Sequence, residues 1–151
     1  MKKFFTLAVA AVLLTACGGT INGTRYDFKD NRWTATEVVH FDVASPGALK
    51  PATLSLTYSH VHDPQFTDIP LQVDITAPDG TKETIPVVLH LKDAAGQSLS
   101  DCAGDVCDFN AVIKKIESPQ QGEYKIDIRN KFSAPYLPNT LAVGINFSNL
   151  N

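Results

Sequence analysis

Along most of this chain apolar and polar residues alternate one for one, and a period of two restricts the fold to sheet. Val39, Phe41 and Val43 alternate with His40 and Asp42. Leu54, Leu56 and Tyr58 alternate with Ser55, Thr57 and Ser59, and Leu71, Val73 and Ile75 with Gln72, Asp74 and Thr76. The same pattern runs through Val87, Leu89 and Leu91, through Tyr124, Ile126 and Ile128, and through Leu141, Val143, Ile145 and Phe147. Successive side chains of an extended strand point to opposite faces, so each run turns one face to a core and the other to water. Residues 110–116 are less regular and read as a further strand. The sequence contains no long amphipathic helix, no internal repeat and no low-complexity tract.

Turn signals separate the runs. In Pro78-Asp79-Gly80-Thr81 the proline presets φ and the glycine accepts a positive φ, so the flanking strands should pair as a hairpin. Ser45-Pro46-Gly47, Ala94-Ala95-Gly96, Pro119-Gln120-Gln121-Gly122 and Leu137-Pro138-Asn139 are further turns. About seven short strands joined this way predict an all-β fold, a single antiparallel β-sandwich of plain or jelly-roll type.

The N-terminus carries a different signal. Lys2 and Lys3 precede an apolar run at residues 4–14, and small residues follow. This is an export signal. Eleven residues are too few to span a bilayer, which needs about 20. The Leu14-Thr15-Ala16-Cys17 ending resembles the bacterial lipobox, in which the cysteine is lipidated and becomes the first residue of the mature protein. The chain therefore divides into a lipoprotein signal peptide at residues 1–16, a lipidated tether at 17–31 and a β-sandwich domain at 32–151. Tyr26, Phe28 and Trp33 indicate that the end of the tether docks onto the fold.

Removing residues 1–16 from 151 leaves 135, one domain with room for a real core. Of 13 basic and 16 acidic residues, the loss of Lys2 and Lys3 leaves 11 against 16, a charge of −5. No basic patch stands out, which argues against nucleic acid and against electrostatic adhesion to anionic lipid. The acyl chains on Cys17 would then be the membrane anchor, and several chains on one cysteine hold firmly.

With Cys17 committed to lipid, Cys102 and Cys107 form an even pair. In an oxidising compartment outside the cytoplasm a local disulfide is the leading reading, ahead of free thiols. The loop is short, so the bond stabilises by about 2 kcal/mol. A lone C-x₄-C lacks the usual zinc spacing.

Two clusters have ligand chemistry. His60 and His62 share a strand face, which suits two imidazoles on one metal, with His40, His90 or Asp63 as a third ligand. The plainer reading puts both histidines on a solvated rim where the strand ends. Asp101, Asp105 and Asp108 with Gly104 form an acidic loop that offers oxygen ligands to calcium. The plainer reading is a solvated loop pinned by the cysteine pair. Neither spacing matches an established metal motif, and no cofactor is expected.

Catalysis has little to work with. G-x-S-x-G, H-E-x-x-H and Walker motifs are absent, and the scattered carboxylates read as a solvated face rather than an enzyme site. Trp33, Tyr58, Phe66, Tyr124, Phe132 and Tyr136 could line a sugar-binding face, although Tyr58 and Tyr124 fall in the inward alternation. Phe132, Tyr136 and Leu137 in one loop, and Phe66 in another, are better candidates for partner contact.

The order of these pieces resembles the gliding-motility lipoprotein GldH family. The resemblance runs from about Tyr26 to Phe147. It includes the lipobox, the aromatic stretch with Tyr26 and Trp33, the strand from Val39 to Phe41 and the turn Pro78-Asp79-Gly80. It continues through Leu91-Lys92-Asp93 with Gly96, Gly104-Asp105-Val106-Cys107-Asp108, Gly122-Glu123-Tyr124, Leu137-Pro138 and the final strand through Gly144. A disulfide between Cys102 and Cys107 is not part of that pattern and would be a local elaboration. The resemblance implies a non-catalytic, lipid-anchored envelope protein that supports a gliding-motility or related complex through contacts with envelope or gliding-machinery proteins. With no acidic run after Cys17, an outer-membrane protein facing the periplasm is expected. The rival reading is a glycan-binding β-sandwich module on the envelope, which an exposed row of coplanar aromatics would favour.

Overall fold

The structure, a computed structural model, describes residues 23–47 and 50–150. Residues 1–16, Cys17 and the start of the tether lie outside the described residues. Eleven strands follow one another: β1 (Gly23–Asp27), β2 (Arg32–Thr34), β3 (Val38–Ala44), β4 (Ala52–Val61), β5 (Asp68–Thr76), β6 (Lys82–His90), β7 (Asp101–Ala103), β8 (Val106–Ile116), β9 (Glu123–Asn130), β10 (Tyr136–Pro138) and β11 (Thr140–Asn149). A 3₁₀ turn, Lys29–Asn31, separates β1 from β2.

All pairings are antiparallel. One sheet has the order β1-β11-β4-β8-β7, the second β3-β9-β5-β6, and a small ribbon pairs β10 with β2. The two large sheets face each other as the expected sandwich. Val39, Phe41 and Val43 of β3, Leu71, Val73 and Ile75 of β5, and Ile126 and Ile128 of β9 meet Leu54, Leu56, Val143, Ile145 and Phe147 of the other sheet, all buried. Full burial of each such side chain stabilises by about 1.5–3 kcal/mol. Tyr124 and Phe147 cross the gap edge to face, with ring centroids 5.0 Å apart. Burial pushes the Tyr58 phenol up to about 12, against the opposing effect of its hydrogen bond with Thr140. That bond is 2.8 Å long.

Two irregular runs have one cause. Leu54 stands opposite Lys114 and Ser55 opposite Val112, which leaves Ile113 of β8 as the extra residue of a bulge that shifts the parity of the strand. Phe109 and Ala111 face inward before it, and Ile116 after it. A second irregularity falls between Thr140 and Ala142 of β11. It turns Thr140 inward, fully buried, and leaves Leu141 half-buried. The alternation expected to start at Leu141 therefore starts at Val143.

Two expectations change. The stretch read as a tether to residue 31 already belongs to the fold from Gly23, because β1 pairs along β11 from Gly23 opposite Asn146 to Asp27 opposite Ala142. Leu137-Pro138 is strand rather than turn, with Leu137 directly opposite Trp33.

The strand directions sort the connections into two ends. The chain enters β1 at the end that also holds the 45–47 turn, the 77–81 turn and the 117–122 loop. Segments 28–37, 62–67, 91–105 and 131–139 lie at the far end. The β2–β10 ribbon plugs that far end. Trp33 is fully buried, stacks on Phe28 at 4.9 Å and donates its indole N–H to the Glu37 carbonyl at 3.1 Å. Asn130 Nδ2 donates to the carbonyls of Trp33 and Thr34 at 3.2 and 3.0 Å, which ties the plug to β9.

Candidate functional site

The far end gathers most of the residues with chemistry, but not in the expected groupings. His60 ends the inward row of β4 and is 1% exposed, so it is not on a solvated rim. Its Nδ1 lies 2.9 Å from the Val61 carbonyl and its Nε2 2.8 Å from the Ser100 hydroxyl. A carbonyl only accepts, so Nδ1 carries a proton, and Nε2 is engaged with the hydroxyl. No lone pair of His60 remains for a metal. His62 lies beyond the strand, exposed, with its backbone N–H donating to the Asp105 carbonyl at 2.8 Å.

Of the proposed third ligands, His40 and His90 lie elsewhere, and Asp63, beside His62, is already paired. His40 contacts Asp127 at 2.6 Å and His90 contacts Asp68 at 2.8 Å, both on the exposed face of the four-stranded sheet. Asp63 pairs with Lys92 at 3.2 Å.

The acidic loop is a hairpin. Cys102 stands opposite Cys107 across β7 and β8, and the two are joined by the expected disulfide. Gly104 opens the two-residue turn at φ +64°, a backbone conformation that suits glycine. Asp101 stands opposite Asp108, which accepts from the Ser59 hydroxyl at 2.5 Å, while Asp105 sits in the turn. Among the described residues no three or more His, Cys, Asp or Glu side chains converge in a way that could hold a metal ion. The metal groupings of His60 with His62, and of Asp101 with Asp105 and Asp108, are therefore not assembled by the fold.

The candidate contact residues are all at the far end. Leu137 is 1% exposed and faces the core beside Trp33, so it is a packing residue and not a contact residue. Phe66 and Phe132 pack on each other, ring centroids 4.5 Å apart, and each keeps part of its surface open. Tyr136 is exposed, with the Arg32 guanidinium 4.7 Å above its ring. Of the proposed sugar-stacking aromatics, Trp33, Tyr58 and Tyr124 are in the core. The row of coplanar rings does not form.

Two hollows open at this end. One, of about 200 Å³, is bounded by His60, His62, Asp63, Lys92 and the disulfide. The other, of about 490 Å³, lies between the end of β1, the 3₁₀ turn and β2, and is lined by Tyr26, Lys29, Asp30, Arg32, Thr34 and Glu37. In it the Tyr26 hydroxyl donates to Glu37 at 2.6 Å. That hydrogen bond, with some burial and the Glu37 charge, raises the phenol above its ordinary range. Sequence reasoning missed this cleft. A signal was present: residues 25–37 hold six charged and three aromatic side chains in thirteen positions, too dense for a tether.

No curated protein sequence matches the chain. Among solved structures, the Eiger TNF of S. frugiperda is similar at 9% identity, with 87% of this chain and 93% of that chain covered and a TM-score of 0.33. A score of that size does not establish a common fold. The sequence itself is decisive, since residues 21–147 match the GldH lipoprotein family, from the edge strand β1 to the end of the core row in β11. The chain belongs to the GldH lipoprotein family and is accordingly a lipid-anchored protein of the cell envelope.

Proposed function

We propose that this protein is a non-catalytic adaptor. Cys17 carries its lipid, and its far end supports a gliding-motility or related envelope complex by protein contact. One observation carries the reading. The chain enters the sandwich at one end, and Phe66, Phe132, Tyr136 and both hollows lie at the other. Cys17 is six positions before Gly23, a span of about 20 Å at most when extended. A domain held that closely presents the opposite end away from the bilayer. Anchoring also raises the effective concentration of that end for partners held at the same surface. An outer-membrane position facing the periplasm completes the proposal.

Site-specific photocrosslinking in intact cells tests it. A crosslinker at Phe66 or Tyr136 should capture an envelope protein, and one at Asp79 in the 77–81 turn should not. Equal capture from both ends, or none from the far end, would refute the assignment.

A further inference from the structure

The cleft between β1 and β2 has an unusual balance of groups. Lys29 and Arg32 supply N–H donors, and Asp30 and Glu37 supply carboxylate acceptors, two charges of each sign. The ion pairs among the described residues involve none of these four. Asp27, also on the wall, is bridged to Arg25 at 2.9 Å and adds no free charge.

Glu37 and Arg32 are held in place before any ligand arrives. Glu37 accepts from the Tyr26 hydroxyl at 2.6 Å and the Thr34 hydroxyl at 3.3 Å, one on each carboxylate oxygen. Its backbone carbonyl is held by the Trp33 indole. Arg32 lies on the Tyr136 ring, with its outward N–H groups unclaimed by an ion pair. Asp30 and Asn31 hold left-handed backbone, both at φ +53°, which bends the 3₁₀ turn around the hollow. Holding Glu37 and Arg32 reduces the ordering cost of binding.

This balance discriminates among ligand classes. An anion would gain from Lys29 and Arg32 but would meet Asp30 and Glu37, and a cation would meet the reverse. A neutral polyol offers a donor and an acceptor at every hydroxyl and can use all four groups. Tyr26, 39% exposed, adds ring surface against which the C–H face of a sugar can lie. The volume of about 490 Å³ falls within the roughly 300–1,000 Å³ of small-molecule sites.

We propose that this cleft binds a neutral saccharide, with Glu37 and Asp30 accepting from its hydroxyls, Arg32 and Lys29 donating to them, and Tyr26 stacking on the ring. The site differs from the sandwich-face row of aromatics expected from the sequence, and it does not depend on the adaptor reading.

The test uses the full chain in a detergent without a sugar headgroup. The probes are short oligosaccharides of glucose, galactose, mannose and N-acetylglucosamine, with sialylated and phosphorylated sugars alongside. Saturation-transfer NMR detects binding, and titration calorimetry measures it. The expected result is binding of at least one neutral oligosaccharide, weakened at least tenfold by Glu37→Gln and by Arg32→Gln. Unchanged Trp33 fluorescence in both variants would show that the plug beneath the cleft is intact. Binding of none of the neutral probes, preference for the anionic ones, or neutral binding that survives both substitutions would overturn the proposal.

Discussion

Gly122→Ala should destabilise this protein more than Gly80→Ala, and the difference has a specific source. Gly122 sits at φ +132° and Gly80 at φ +86°, so an L side chain is strained at both. That conformational cost is about 1–2 kcal/mol at each. A Cβ on Gly80 would have nothing within 4 Å. A Cβ on Gly122 would lie 3.0 Å from Pro78 Cβ and 3.1 Å from Pro78 Cγ. Pro78 cannot easily retreat. Its turn is closed by Ala77 N–H to the Thr81 carbonyl at 2.8 Å and Gly80 N–H to the Ala77 carbonyl at 2.9 Å. Gln120 clamps the same turn, donating to the Asp79 carboxylate at 2.7 Å and accepting from the Asp79 backbone N–H at 3.2 Å. On the other side, the Gly122 carbonyl accepts from Ser45 N–H at 2.8 Å. Overpacking between such restrained groups costs about 1–3 kcal/mol. Gly122→Ala should therefore lose about 2–5 kcal/mol and Gly80→Ala about 1–2. Urea titration followed by the single tryptophan, Trp33, reads both variants from the end opposite the substitutions. If Gly122→Ala costs no more than Gly80→Ala, the close approach of Pro78 is not what requires glycine at 122.

Cys17→Ala should move the protein from the membrane to the soluble fraction; retention in detergent-free fractionation would remove the proposed anchor. Cys102→Ser opens the Cys102–Cys107 bridge and should lower stability by about 2 kcal/mol, the short-loop value. Mass spectrometry of the native protein that found both thiols free would contradict the bridge itself. Asp74→Asn should flatten the acid side of the stability profile. The Thr84 hydroxyl, then Gln72 and Arg129, hold the Asp74 carboxyl below 3.8, so its contribution is full above the unfolded value and is lost as pH falls through the lower folded one. Denaturation midpoints below about pH 4 should therefore decline less steeply in the variant, and parallel profiles would refute the assignment.

The parts of the fold legible in the sequence are the strands in which parity never changes. β3, β5 and β9 keep one face inward along their length, and Phe41, Val73 and Ile126 all fall where alternation puts them. Bulges defeat the same reasoning in β8 and β11, because one extra residue swaps the faces beyond it. The ribbon of β2 and β10 has three residues a side, too few for a period to show, so Leu137 looks like an exposed loop residue. His60 was misread for another reason. Alternation assigns it an inward face, but only the 91–105 excursion, arriving through Ser100, closes the water off. The cleft is hard to read from the sequence because Tyr26, Lys29 and Asp30 fall in the segment read as a tether while Arg32, Thr34 and Glu37 fall in the domain, and the two sets meet only once β1 and β2 dock on the sandwich.

The division between the two ends follows from the lengths and chemistry of the connections. The 77–81 turn and the 117–122 loop are short, rely on glycine and lock together through Gln120 and Pro78, which leaves little surface that can vary without loss of stability. Segments 28–37 and 91–105 are longer and each lines one of the two hollows. Their polar side chains on the cleft, Lys29, Asp30 and Arg32, are exposed and carry none of the core. Stability and recognition should therefore separate along the molecule. Gly122→Ala should lower the unfolding midpoint and spare capture at the far end below it. Arg32→Gln should leave the midpoint within about 0.5 kcal/mol of the parent, as surface changes away from packing do. A variant of Arg32 that unfolds the protein would show instead that its stacking on Tyr136 holds the plug in place, and the cleft would then be a by-product of closing the sandwich rather than a site.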